Sequence, residues 1–267
     1  MKKRRSPKPK PIILSPTWLS KWYELGCPAA WKYGQDWSPL EGQETRERGL
    51  AVHRLLSGQF EKRDVDDKIA LRMYERLETL RRDRGLTILK DKRGKPLVEV
   101  WQTFPLPGFP GVYWRRCLDA VAMTLEEKIV IVDWKTHLGR GWKTLPTKDG
   151  TSLVAPQSLG FQSPGYTLSP PWEVWEKWGL PPEAWPTQML YLVGPAFGEG
   201  QIFSYATEAK SVQNFFNAVR GMLAAFTLGT FPKVYGAHCL VCDFKKVCFE
   251  MPGWKAAYTA RRREKRK

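Results

Sequence analysis

The stretch Ile129-Val130-Ile131-Val132-Asp133-Trp134-Lys135-Thr136 decides how the chain is read. Its four leading residues are all apolar and β-branched, the pattern of a strand covered on both faces of a sheet. The run then turns polar. Residues i and i+2 of a strand share a face, so Asp133 and Lys135 converge while Trp134 faces away. The segment before it, Val112–Met123, alternates in the half-buried manner and predicts an antiparallel partner across a turn near 126–128. That partner carries Asp119. Two carboxylates at neighbouring strand ends form a donor set that a hard divalent cation takes. A lysine beside them stabilises charge on a phosphate oxygen or orients an attacking water. Asp-x-Lys is short, and taken alone it also fits an exposed ion pair at a strand end.

Outward from this pair, 97–103 reads as a further strand, and 187–193 and 201–205 as two more joined by a Gly-containing turn. Helices are predicted over 16–25, 44–60, 65–82 and 208–228. In the third, Ile69, Met73, Leu77 and Leu80 share one face; the last buries Val212, Phe215, Phe216, Val219, Leu223 and Phe226 and stops at Gly229. The stretch 138–186, rich in Gly, Pro, Ser and Trp, predicts loops and short helices. No internal repeat is present. The order predicts one mixed α/β domain over 12–257, with disordered basic tails at 1–11 and 258–267.

With 267 residues, 42% of them hydrophobic, the chain can bury a sizeable core, and its composition excludes fibrous, collagen-like and wholly disordered classes. No apolar run reaches the roughly 20 residues of a bilayer span. Pro7, Pro9 and Pro11 stand where a signal peptide needs its apolar stretch. A soluble intracellular protein with no membrane partner is expected. The net charge is +16, of which residues 1–10 and 259–267 carry +11. Tails of this kind solubilise, or they bind polyanions by counterion release; two of one sign on a basic body point to nucleic acid. Five cysteines are an odd number for a disulfide framework. Three of them, Cys239, Cys242 and Cys248, are spaced tightly enough to converge on one metal centre.

In family order along residues 15–250, these motifs resemble the PD-(D/E)XK nuclease superfamily, in particular its RecB-like branch with an iron–sulfur cluster. That branch includes nuclease domains of recombination enzymes and CRISPR-associated RecB-like exonucleases. The segment from Ser15-Pro16-Thr17-Trp18 to Cys27-Pro28 is similar to the opening helix with its first cluster cysteine. Gly49 and His53 match a Gly-x-x-x-His motif. Cys117-Leu118-Asp119 matches the strand of the first metal aspartate, and Asp133-Trp134-Lys135-Thr136 the Asp-x-Lys-Thr signature. Gln162 to Tyr166 resembles a Gln-x-x-x-Tyr motif, for which Gln188 and Tyr191 are a competing match. Cys239, Cys242 and Cys248 resemble the closing cysteines.

The resemblance implies a restriction-endonuclease-like mixed central sheet flanked by helices, with the chain ends joined by a four-cysteine cluster. Cys27, Cys239, Cys242 and Cys248 would hold a 4Fe–4S cluster, with zinc, aided by His238, as the alternative. His53, Asp119, Asp133 and the Trp134 carbonyl would hold Mg²⁺ or Mn²⁺. Lys135 would activate the nucleophile, and Gln162 and Tyr166 would contact DNA or brace Lys135. The implied activity is a metal-dependent deoxyribonuclease, an exonuclease on single-stranded or frayed ends. The alternatives are a structure-specific endonuclease and a non-catalytic iron–sulfur DNA-binding module. The setting implied is the cytoplasm of a bacterial or phage-infected cell, with protein partners of recombination or CRISPR type.

Two positions depart from the pattern. Arg116 stands where the family has Gly, which would alter how DNA or metal approaches, and Pro164-Gly165 interrupt the glutamine motif. Glu99 reads as a further acid near the site or, with more weight, as a solvent-facing strand residue, and Cys117 as a buried structural thiol; most of the tryptophans read as core or surface filler, with the run from Trp172 to Trp185 the candidate stacking patch for unpaired bases.

Overall fold

The computed structural model describes residues 11–16, 19, 27–29, 32–33, 37–39, 43–138, 145–147, 150–152, 163–171, 176–180, 184–231, 233, 244–251, 255 and 258–260. Of the predicted tails 1–11 and 258–267, residues 1–10 and 261–267 lie outside these residues, as do most of the predicted 16–25 helix, Gln162, Cys239 and Cys242. In chain order the strands are β1 (Ile12–Leu14), β2 (Trp37–Pro39), β3 (Thr87–Ile88), β4 (Val98–Pro105), β5 (Val112–Met123), β6 (Ile129–His137), β7 (Leu145–Thr147), β8 (Gly150–Ser152), β9 (Gln188–Pro195), β10 (Gln201–Ala206) and β11 (Tyr258–Ala260). The helices are α1 (Gln43–Leu56), α2 (Lys68–Asp83), α3 (Ala209–Leu228) and the single turn α4 (Lys245–Cys248); residues 163–167 are also helical.

The apolar run lies in β6, between an antiparallel β5 and a parallel β9. β5 also pairs with β1, β3 and β4, and β10 closes the far edge against β9, giving a mixed seven-stranded sheet. On one face α1 and α2 bury Val52, Leu55, Met73 and Leu77 against Ala120, Val130, Val132 and Leu192. On the other, Ile131, Met189, Tyr191 and Val193 pack with Trp178 and Trp185. The N-terminal half of β5 packs Val112 and Trp114 against Phe215, Val219 and Met222 of α3. At about 1.5–3 kcal/mol per fully buried large apolar side chain, these layers supply most of the drive to fold.

Where boundaries differ from the sequence pattern, local hydrogen bonding accounts for it. α2 starts at Lys68 rather than 65 because the Asp67 carboxylate accepts the backbone N–H of Ile69 and Ala70 at 2.8 and 3.1 Å. The same carboxylate takes the Arg48 Nε–H at 2.6 Å and so ties α2 to α1. α1 stops at Leu56 because the chain turns at Gly58, whose φ is +71°. β6 runs on to His137 because β9 keeps pairing with it as far as Pro195. Past the boundary expected at 257, β11 pairs antiparallel with β2 and so joins residues 258–260 to 37–39. No helix among the described residues is long and apolar enough to cross a membrane.

Candidate active site

The site forms where β5 and β6 part. Their ladder joins 120–123 to 129–132 and stops there; β6 continues beside β9 while β5 turns to β4 and β1. Asp119 stands at this fork, and its Oδ2 accepts the Trp134 N–H at 2.8 Å, in place of a ladder partner. Asp133, 3% exposed, shares the face of Ile131, and Lys135 Nζ lies 2.6 Å from its Oδ2.

α1 lays His53 over this fork. It can do so because Gly49 passes close to β6: a Cβ there would sit 3.2 Å from Thr136 Oγ1. His53 Nε2 is 3.2 Å from the Trp134 carbonyl and donates to it, while Nδ1 lies 3.1 Å from Glu99 Oε1 and 3.9 Å from Asp119 Oδ2. The Trp134 carbonyl, expected as a metal ligand, thus faces His53.

Of the two readings of Glu99, the structure favours the acid beside the site over the solvent-facing residue. The β4–β5 ladder pairs Val98 with Ala120 and Val100 with Leu118 but passes over Glu99 and Asp119. Glu99 adopts φ +50°, a left-handed conformation uncommon outside glycine, and its carboxylate meets His53 and Cys117. Cys117 is likewise part of the site rather than a core thiol; its Sγ–H donates to Glu99 Oε2 at 3.3 Å. Had the register of 97–103 against β5 been readable, it would have put Glu99 opposite Asp119.

Donor atoms of His53, Glu99 and Asp119 lie within 4.8 Å of one another. Asp133 stands beside this group, held by Lys135. One imidazole and hard carboxylate oxygens suit Mg²⁺ or Mn²⁺. The electrostatics agree. Burial, then the charge of Asp133, push the Asp119 carboxyl up to about 7. Burial opposes the charge on His53, but the Glu99 hydrogen bond and the charges of Asp119, Glu99 and Asp133 outweigh it and raise His53 to about 9. Burial works against the charged form of Glu99 too, yet the hydrogen bonds from His53 and Cys117 hold its pKa below the ordinary value. Lys135 is raised despite its burial, by the charge of Asp133. Crowded buried carboxylates are the condition a divalent cation relieves.

Both His53 and Asp119 bind protons more tightly folded than unfolded. The stability they contribute is present at low pH and is lost as pH rises, from 3.8 to about 7 through Asp119 and from 6.5 to about 9 through His53. In EDTA the melting temperature should therefore carry a decline between pH 6 and 9 that His53→Gln flattens. Saturating Mn²⁺ should raise it more at pH 8.5 than at pH 6, because a ligating imidazole must first lose its proton. An unchanged slope in His53→Gln would contradict the arrangement.

Tyr166, on the helical stretch 163–167, is raised well above its ordinary range by burial and by the charges of Asp133 and Asp119. In the competing pair, Tyr191 sits opposite Asp133 in the β6–β9 register. Gln188 has the opposite strand parity, and its amide donates to Ser204 Oγ on β10. Pro164 and Gly165 lie within the helical stretch 163–167 and do not interrupt it. Gly165 is required there, since a Cβ would come within 2.6 Å of Trp114.

Arg116 does not border the metal-ligand group. Its parity on β5 differs from that of Asp119, and it is buried among Gln102 Oε1 and the carbonyls of Gly165, Tyr166 and Leu168, at 2.7, 3.1, 2.5 and 2.6 Å. Phe104 and Trp185 cover the guanidinium, each 4.9 Å away. Burial lowers its pKa to about 9. It therefore caps the carbonyl end of the helical stretch that carries Tyr166.

The tryptophans expected as a stacking patch belong, where described, to the core: Trp178 and Trp185 are 6% and 8% exposed and stack on each other. Of the four expected cluster cysteines, Cys27 is buried and Cys248 half-buried, while Cys239 and Cys242 lie outside the described residues. Tyr33, six residues past Cys27, lies near Lys233 and Cys248.

A mixed sheet flanked by helices, with acids at a strand fork and a lysine two residues beyond one of them, fits a restriction-endonuclease-like fold. The sequence profile of the PD-(D/E)XK nuclease superfamily matches residues 14–249, and the chain belongs to that superfamily. Among solved structures, a protein of Eubacterium rectale designated a candidate exonuclease is 16% identical, with a TM-score of 0.52, over 83% of this chain and 84% of that one. A second structure, SSO0001, is 12% identical with a TM-score of 0.39, over 88% and 85%. At these identities the former likeness is one of fold. No curated protein matches the chain.

Proposed function

We propose that the protein is a metal-dependent deoxyribonuclease that hydrolyses phosphodiester bonds at single-stranded or frayed DNA ends. The observation that carries this is the convergence of His53, Glu99, Asp119, Asp133 and Lys135 at the β5–β6 fork. His53, Glu99 and Asp119, with Asp133 beside them, would hold Mg²⁺ or Mn²⁺. Such an ion supplies Lewis acidity at the scissile phosphate and a water of lowered pKa. Lys135, oriented by Asp133, places its ammonium where negative charge grows on the phosphate or where the attacking water is aligned. Tyr166, its ring in the same pocket of charge, and Gln162 hold the backbone or brace Lys135. The products carry 5′-phosphates. The designation of the Eubacterium rectale neighbour points toward action at ends. Linear and circular single-stranded DNA of equal length separate the readings: the linear form should be degraded from its ends and the circle should survive. Nicked circles would make it an endonuclease. DNA bound but never cut would make it an accessory module.

The same reading gives the cysteines a structural role. Cys27, Cys239, Cys242 and Cys248 would share a 4Fe–4S cluster that clips the chain ends, an arrangement supported by the β2–β11 pairing and by Tyr33 lying near Cys248. Protein purified anaerobically should be brown, with absorbance near 400 nm, an expectation set by the chromophore of such clusters. Cys27→Ala should bleach it and lower its melting temperature. Colourless protein with stoichiometric zinc would replace the cluster by a zinc site.

A further inference from the structure

One face of the β4–β5 ribbon is open. Phe104, Val112 and Trp114 turn inward to α3. The opposite side presents Trp101, Thr103, Tyr113 and Arg115, and among the described residues no element covers it. Trp101 is 67% exposed and Tyr113 36%, so two aromatic rings stand on the open face. The Arg115 guanidinium lies 5.5 Å from the Trp101 ring centre and steadies the indole.

The face leads into the site. Trp101 is the register partner of Cys117, and Thr103 that of Arg115. Cys117 in turn donates to Glu99. At a rise of about 3.3 Å per residue, the Cys117 level lies roughly 7 Å along β5 from Asp119 and the Arg115 level roughly 13 Å. An exposed indole followed by a cation, in line with a cluster suited to phosphodiester chemistry, matches a polymer of alternating aromatic bases and phosphates. It does not match a duplex, whose bases are stacked away from side chains.

We propose that this ribbon is the track for the unpaired strand of the substrate, Trp101 stacking on a base close to the reacting bond and Arg115 holding a phosphate further along. The proposal rests on the nuclease reading and specifies its substrate as single-stranded DNA. The test uses the full chain and fluorescein-labelled oligo(dT) in EDTA, where no cutting intervenes. Trp101→Ala should weaken binding by about 5- to 150-fold, the range for one base–aromatic stack, with an unchanged melting temperature. Trp101→Phe should restore most of the affinity. Arg115→Gln should make the slope of log K against log salt shallower by about 0.7. Blunt duplex affinity should not move in Trp101→Ala. Oligo(dT) binding by Trp101→Ala within twofold of wild type, or an equal loss in Trp101→Phe, would overturn the track. Wild-type protein that binds but never cuts would instead defeat the nuclease reading and leave these binding results standing.

Discussion

Asp133→Asn should lower the rate of DNA cleavage by about a thousandfold or more, while the protein stays folded and still binds DNA in EDTA. The substitution keeps the side-chain volume at a position 3% exposed, so packing should survive. It removes the charge that orients Lys135, 2.6 Å away, and that adds to the negative field at Asp119. Groups acting in the transition state cost about 10²–10³ each when removed, and members of one unit fall together rather than additively. Lys135→Ala should therefore fail to a similar degree, and the double variant little further. Initial rates on an end-labelled oligonucleotide with Mn²⁺ decide the matter. A rate within a few-fold of wild type would remove Asp133 from the chemistry.

Arg116→Met should destabilise the fold by about 3 kcal/mol, roughly 6–12 °C in melting temperature for a chain of this size. Two effects compete. The guanidinium is buried, and among the described residues no carboxylate faces it, so deleting its charge relieves a desolvation cost. Against that, methionine abandons Gln102 Oε1 and the carbonyls of Tyr166 and Leu168 in the core, each at about 1–3 kcal/mol. The Gly165 carbonyl loses less, since Trp114 Nε1 also donates to it at 2.8 Å. Three orphaned acceptors outweigh one relieved cation. Lysine should not substitute, because a single ammonium cannot span a planar fork of acceptors. Thermal melts in EDTA read this directly, and a shift under 2 °C would show that Arg116 does not hold the Tyr166 stretch.

The parts of the fold and site that depend on periodicity were legible in the sequence. β5 spans Val112–Met123 as its alternation predicts, and β6 grows from the apolar run. Period-two geometry was enough to put Asp133 and Lys135 together at the strand end. What the sequence hid depends on register and on single backbone torsions. Glu99 reaches His53 from a left-handed conformation opposite Asp119, and no local pattern announces that. Arg116 looked like an obstacle beside Asp119 because it is close in sequence, whereas strand parity sends it across the sheet. Trp178 and Trp185 fall outside the expected stacking role for a related reason: composition marks an aromatic-rich segment, but only packing shows that these two are buried while Trp101 is open. The β2–β11 pairing spans more than 200 residues of chain, a separation at which local signals carry no information.

The most direct test of the account is a time course of full-length protein on an end-labelled single-stranded oligonucleotide with Mn²⁺, with Mg²⁺ and with EDTA. The arrangement of His53, Glu99, Asp119, Asp133 and Lys135 predicts shortening of the oligonucleotide with either ion, none in EDTA, and recovery when Mn²⁺ is added back in excess. DNA left intact by folded protein at saturating Mn²⁺, or cut equally fast in EDTA, would contradict it.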